Sequence, residues 1–165
     1  MEENMVSIIM GSKSDYPVVQ RAERLLKAFE VEFETRILSA HRTPRLVEEF
    51  ATGAEARGVE VIIAAAGKAA HLAGVVASNT PVPVIGLPIK SSTLDGLDSL
   101  LSTVQMPSGV PVATVAIDGA ENAGLLAIQI LSVKYENLRK ELRTYKENMA
   151  KEIGRLDAEF QSDYQ

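Results

Sequence analysis

A doubly wound parallel α/β sheet is the fold class this sequence predicts, on three observations. Short apolar runs rich in Val and Ile alternate with longer stretches of helical periodicity over residues 1–133. Several of these runs are almost continuously apolar, as strands must be when helices cover both faces of the sheet. The links are short, so each strand–helix–strand unit should cross over right-handed into a parallel arrangement. With five runs, the expected strand order is 2-1-3-4-5, the flavodoxin-like form of a three-layer α/β fold.

The elements follow in order. Strands are predicted over 6–10, 33–38, 59–66, 82–87 and 112–117, and helices over 17–29, 43–57, 70–78, 94–105 and 119–133. Pro17 follows Ser14-Asp15-Tyr16 and Pro44 follows Thr43, each proline presetting φ in a first helical turn behind a capping side chain. Gly58, after Arg57, is suited to stop the second helix. From Lys134 onward, Tyr135, Leu138, Leu142, Tyr145, Met149, Ile153, Leu156 and Phe160 recur at spacings of 3 and 4, which predicts a long, charged C-terminal helix with one apolar stripe. That stripe fits a surface helix lying on its own domain or an arm packed on a neighbouring subunit. Its 25-residue reach, ~38 Å at 1.5 Å per residue, exceeds a domain of this size. Gly154 should fray its end. The division expected is an α/β domain over 1–133 and a helical arm over 134–165.

Composition narrows the function. The 165 residues are 46% hydrophobic and 24% charged, a globular balance. A net charge of -5 argues against a nucleic-acid partner, because phosphate neutralisation needs a basic face. No apolar run approaches the ~20 residues of a membrane span, and Met1-Glu2-Glu3-Asn4 lacks a basic leader, so the cytoplasm is expected. The absence of cysteine excludes disulfides, thiolate catalysis and thiolate metal sites.

Ligands of open α/β sheets sit beyond the carboxyl ends of the strands, so the residues after each strand matter most. Gly11-Ser12-Lys13-Ser14-Asp15 follows the first strand; it fits a plain capping turn or an anion site at a helix amino terminus. Ser39-Ala40-His41-Arg42-Thr43-Pro44 follows the second. It offers a guanidinium fork for phosphate and an imidazole, the side-chain type suited to acid–base work at physiological pH. Gly67-Lys68-Ala69-Ala70-His71 follows the third, where His71 is either a structural residue or part of the site. Familiar alternatives fail. The P-loop's first glycine would fall at Ile62, and Ala69 stands where Ser or Thr should be. No G-x-G-x-x-G follows the first strand. Ala64, Ala65 and Ala66 supply no receiver aspartate, and only Tyr16 is available to stack a flavin. Two histidines without cysteines make no metal cluster.

Four strings, Gly11-Ser-Lys-Ser-Asp15, Ser39-Ala-His-Arg-Thr-Pro44, Ala69-Ala-His-Leu72 and Gly96-Leu-Asp-Ser-Leu100 with Gln105-Met-Pro107, occur in order across residues 5–133. Together they resemble class I N5-carboxyaminoimidazole ribonucleotide mutases, the PurE-type proteins of purine synthesis. Class II carboxylases carry a lysine after the histidine of the second string. The resemblance implies an isomerase that moves a carboxylate from the exocyclic nitrogen of the ribonucleotide to C4, with neither metal nor organic cofactor, in a homo-octamer. It implies His41 as the acid–base. Ser12, Asp15 and Arg42 would hold phosphate and ribose, with Ser39 beside them, and Gly67, Lys68 and His71 would cup the base and its carboxylate. Two positions depart from the family pattern: Lys68 replaces a glycine and Ala73 replaces a proline.

Overall fold

The computed structural model describes residues 5–164. Five parallel strands, β1 (Val6–Met10), β2 (Phe33–Ile37), β3 (Val61–Gly67), β4 (Val84–Ile89) and β5 (Ala113–Thr114), form one sheet in the order β2-β1-β3-β4-β5. This is the order expected. Six α-helices accompany them: α1 (Tyr16–Ala28), α2 (Pro44–Thr52), α3 (Leu72–Ala77), α4 (Leu97–Val104), α5 (Ala120–Leu131) and α6 (Glu136–Asp163).

The period of two along each strand sorts its side chains into two cores. Val6, Ile8 and Met10 of β1 join Ala22 and Leu26 of α1 and Ala127 and Ile128 of α5 on one face. Ile9 turns to the other face with Ile62, Val47 and Phe50 of α2, and Val76 of α3. Helices thus cover both faces, which accounts for the nearly unbroken apolar runs. Each fully buried Ile or Leu contributes ~1.5–3 kcal/mol. One glycine decides the depth of the second layer: a Cβ on Gly86 would overlap Thr103 Cγ2 of α4 and lie 2.8 Å from Val112 Cγ1.

Several boundaries differ from expectation. The predicted 43–57 helix breaks at Gly53; α2 stops at Thr52 and a separate 3₁₀ turn, Glu55–Arg57, ends on Gly58 with φ 78°. Neither proline-led helix is capped by the side chain anticipated. Thr43 Oγ1 is engaged with Ser39 instead, accepting from its N–H and donating to its carbonyl, and Asp15 makes no capping bond to α1. Residues 94 and 95 do not begin a helix: Leu94 and Asp95 both have φ 53° and Gly96 φ 94°, a left-handed turn that precedes α4. β5 shrinks to two residues because only Ala113 and Thr114 pair with β4.

α6 behaves differently along its length. Leu138 and Leu142 are buried in the first core, and Tyr145 meets the Phe29 ring at a centroid distance of 5.8 Å. The first half therefore lies on its own domain. Beyond it Met149, Ile153, Leu156 and Phe160 are exposed. Gly154 does not fray the helix, which continues to Asp163. No described helix is long and apolar enough to cross a membrane.

Candidate active site

All five strands point their carboxyl ends the same way, so the loops that follow them gather at one edge of the sheet. Strand order reverses between β1 and β3. The crevice belongs there, since neighbouring loops diverge to opposite faces at that point. A cleft of about 660 Å³ occupies it, lined by Ser12, Asp15, Ser39, His41, Arg42, Gly67, Lys68 and His71 among others. The structure thus brings every site residue expected from the sequence into one cavity.

The β1 loop leaves the sheet with Ser12 extended (φ -152°), its hydroxyl accepting from the Ser14 N–H at 3.3 Å and the Ser14 hydroxyl at 2.9 Å. That turn delivers Asp15 to the cleft floor, where it is buried. Burial pushes the Asp15 carboxyl above its ordinary value. Hydrogen bonds from Ser12 and Ser14 and the Arg42 charge partly offset the rise, and Asp118 adds to it.

Arg42 ties two loops together. Its Nη2 donates to the Gly11 carbonyl at 2.7 Å and its Nε to Ser39 Oγ at 3.4 Å, while its backbone N–H donates to the same hydroxyl at 3.2 Å. The guanidinium is still exposed, so it retains donors for an anion. His41, one residue earlier on the β2 loop, reaches the residue that precedes α3. Its Nε2 lies 2.8 Å from His71 Nδ1, with the rings edge-to-face at a centroid distance of 4.9 Å. Of the two readings open for His71, membership of the site is the one the geometry supports.

Gly67 closes β3 opposite Ile89; a Cβ there would stand 3.3 Å from the Ile89 carbonyl oxygen. Lys68 has φ 57°, the left-handed backbone that glycine adopts without penalty, and its side chain is exposed. Ala73 is buried in α3.

Sequence reasoning missed the fourth wall. Lys90, Ser91 and Ser92, which follow β4, also line the cleft. The Lys90 N–H donates to Asp118 Oδ1 at 2.8 Å and its ammonium lies 3.2 Å from Asp95. The rule applied after the first three strands would have found them had β4 been extended to Ile89. Among the described residues, no group of three or more His, Cys, Asp or Glu side chains is arranged to hold a metal.

Residues 5–152 match a family model described as AIR carboxylase. The chain is 60% identical over 144 residues to the N5-carboxyaminoimidazole ribonucleotide mutase of Pyrococcus abyssi, covering 87% of this chain and 83% of that protein. It is 58% identical over 148 residues to the enzyme of the same name from Thermotoga maritima, covering 90% and 86%. The crystal structure of Treponema denticola PurE superposes with a TM-score of 0.83 at 33% identity, covering 90% of this chain and 92% of that one. With the polar loops after β1, β2 and β3 gathered in one cleft and these likenesses spanning nearly the whole sequence, the chain belongs to the AIR carboxylase family.

Proposed function

We propose that this protein is an isomerase of purine biosynthesis, moving the carboxylate of N5-carboxyaminoimidazole ribonucleotide from the exocyclic nitrogen to C4. The observation that carries the reading is the meeting of His41, Arg42, Ser12 and Asp15 in one cleft at the switch point. Arg42 and Ser12 supply donors for the phosphate, Asp15 an acceptor and Ser39 a hydroxyl donor for the ribose, and Gly67, Lys68 and His71 the wall around the base and its carboxylate. Loss of the carboxylate from nitrogen needs a proton delivered there, and its addition at C4 releases one. A single imidazole, His41, serves both steps; such transfers contribute about 10²–10⁴-fold. Holding the released CO2 beside the base supplies the rest through proximity. The same reading divides the chain into a ribonucleotide-binding domain over 1–133 and an intersubunit arm over 134–165. It makes the assembly a cytoplasmic homo-octamer, supported by the apolar stripe that α6 leaves exposed.

The test is direct. Purified protein is given the N5-carboxylated ribonucleotide, and formation of the 4-carboxylated product is followed by absorbance. Turnover without added bicarbonate supports the isomerase. Turnover only from the uncarboxylated aminoimidazole ribonucleotide plus bicarbonate would mark a carboxylase, and binding without either reaction a non-catalytic homologue.

A further inference from the structure

His41 and His71 come from different loops, after β2 and before α3, yet their rings meet at 2.8 Å. They are the only histidines in the chain. A contact between two ring nitrogens at this distance needs one N–H and one lone pair. Whichever ring donates, the bond consumes Nε2 of His41 and Nδ1 of His71. Resting on the function proposed above, we infer that the two histidines act as one acid–base unit, in which His71 is a positioning residue that holds His41 Nε2 and reserves His41 Nδ1 as the nitrogen that gives and retakes the migrating proton.

The chemistry follows from the bond. An exposed imidazole that is free to turn presents either nitrogen to the substrate, and only one of them can be the productive one. In the working form His41 is an imidazolium: Nε2–H donates to the lone pair of His71 Nδ1, and Nδ1–H faces the reaction. The bond between the exocyclic nitrogen and the carboxyl carbon breaks, its electron pair returning to nitrogen, and that nitrogen takes the proton from Nδ1. Carbon dioxide is now free beside a neutral imidazole. The C4 electron pair then attacks the CO2 carbon, and the C4 proton passes back to the same Nδ1. No proton is lost from the protein over the cycle, and the bridge persists throughout. Serine hydrolases hold their histidine with a carboxylate for the same purpose. Here the holder is neutral, in a cleft whose charged lining consists of Asp15 after β1, Arg42 after β2, Lys68 after β3 and Lys90 after β4. A second extra proton would leave the bridge without a lone pair, so the intact pair carries at most one.

With two histidines in the chain, imidazole nitrogen spectra of the ¹⁵N-labelled full-length protein report on this pair alone. The unliganded protein should show a nitrogen–nitrogen coupling between His41 Nε2 and His71 Nδ1. In His71→Phe, which offers no acceptor, kcat should fall at least about tenfold with a changed kcat–pH profile, and KM should stay within about threefold. His71→Gln, whose amide oxygen can accept from Nε2, should recover part of that loss. Absence of the coupling beside normal turnover, a kcat–pH profile in His71→Phe that superimposes on the parent, or a rise in KM alone would each overturn the proposal. The coupling is read in the unaltered protein, so a variant that fails to fold leaves that arm decisive. Absence of any turnover in the parent would instead overturn the proposed function.

Discussion

Lys68 places a long side chain on backbone in the left-handed region that favours glycine. Its φ of 57° is the conformation a glycine would take there, so the loop follows the glycine path with a side chain added. A left-handed non-glycine residue costs ~1–2 kcal/mol, while glycine loses ~0.5–1 kcal/mol more on ordering. Lys68→Gly should therefore melt at or slightly above the parent temperature. The exposed ammonium attracts an anionic substrate with the ~0–1 kcal/mol of a solvated charge, equally in ground and transition states. KM should rise at most about fivefold and kcat should hold within about threefold; a large rise in kcat would show the ammonium gripping the departing carboxylate. Asp15 gives a pH-dependent prediction. Its folded-state carboxyl titrates above the unfolded one, so its contribution to stability is complete in acid and is lost as pH rises through the folded value. Asp15→Asn should melt higher than the parent at pH 7, the gap should close well below pH ~3.9, and ribonucleotide affinity should fall. Melting curves at several pH values check the first part, and calorimetric titration checks the last. At this scale the sequence disclosed which side chains line the cleft, because a His and an Arg in the loop that follows a strand have no core to enter. It did not disclose the His41–His71 contact, which depends on how far two separate loops lean toward each other.

Among the elements, α4 depends on a single glycine for its depth. It rests where Gly86 of β4 has no side chain, against Thr103 Cγ2. Gly86→Ala would force α4 outward or Thr103 off its rotamer, at ~1–3 kcal/mol, and would move residues 90–92 at the cleft wall with it. Chemical denaturation should show that loss of stability, together with a weaker ribonucleotide affinity. Unchanged stability would mean that α4 shifts freely. The central strands β1, β3 and β4 were legible because burial on both faces leaves a nearly continuous apolar signature, and the 2-1-3-4-5 order followed from short right-handed links. Helix ends were not. Gly53 sits in right-handed space at φ -85°, so nothing about its freedom to turn left marks the end of α2. The left-handed pair Leu94 and Asp95 was signalled only by the Asp95-Gly96 dipeptide, which the helical periodicity from 94 onward overrode, while Leu94 has no preference for that region. Extending β4 only to residue 87 hid Lys90, Ser91 and Ser92, since a polar run counts as a site wall only when the strand before it is placed correctly.

The whole molecule is a sheet with two closed faces, one working edge and a helix that outlives its support. Leu138 and Leu142 fasten the start of α6 to the core, whereas Met149, Ile153, Leu156 and Phe160 extend the same stripe into solvent. Deleting residues 147–165 removes those four and leaves the two buried leucines in place. Light-scattering chromatography should then show a smaller assembly, while circular dichroism shows an intact α/β domain; an assembly of unchanged size would refute the arm. The short fifth strand bears on a different property. An aggregating chain needs a row of free N–H and C=O groups to pair with, and β5 offers two residues of it, just after Pro111. The opposite edge, β2, presents Glu34 and Arg36, whose charges must be desolvated before another strand can dock. Refolding at high concentration should therefore produce few cross-β species, and any precipitate should dissolve on dilution, because one edge is short and the other is charged.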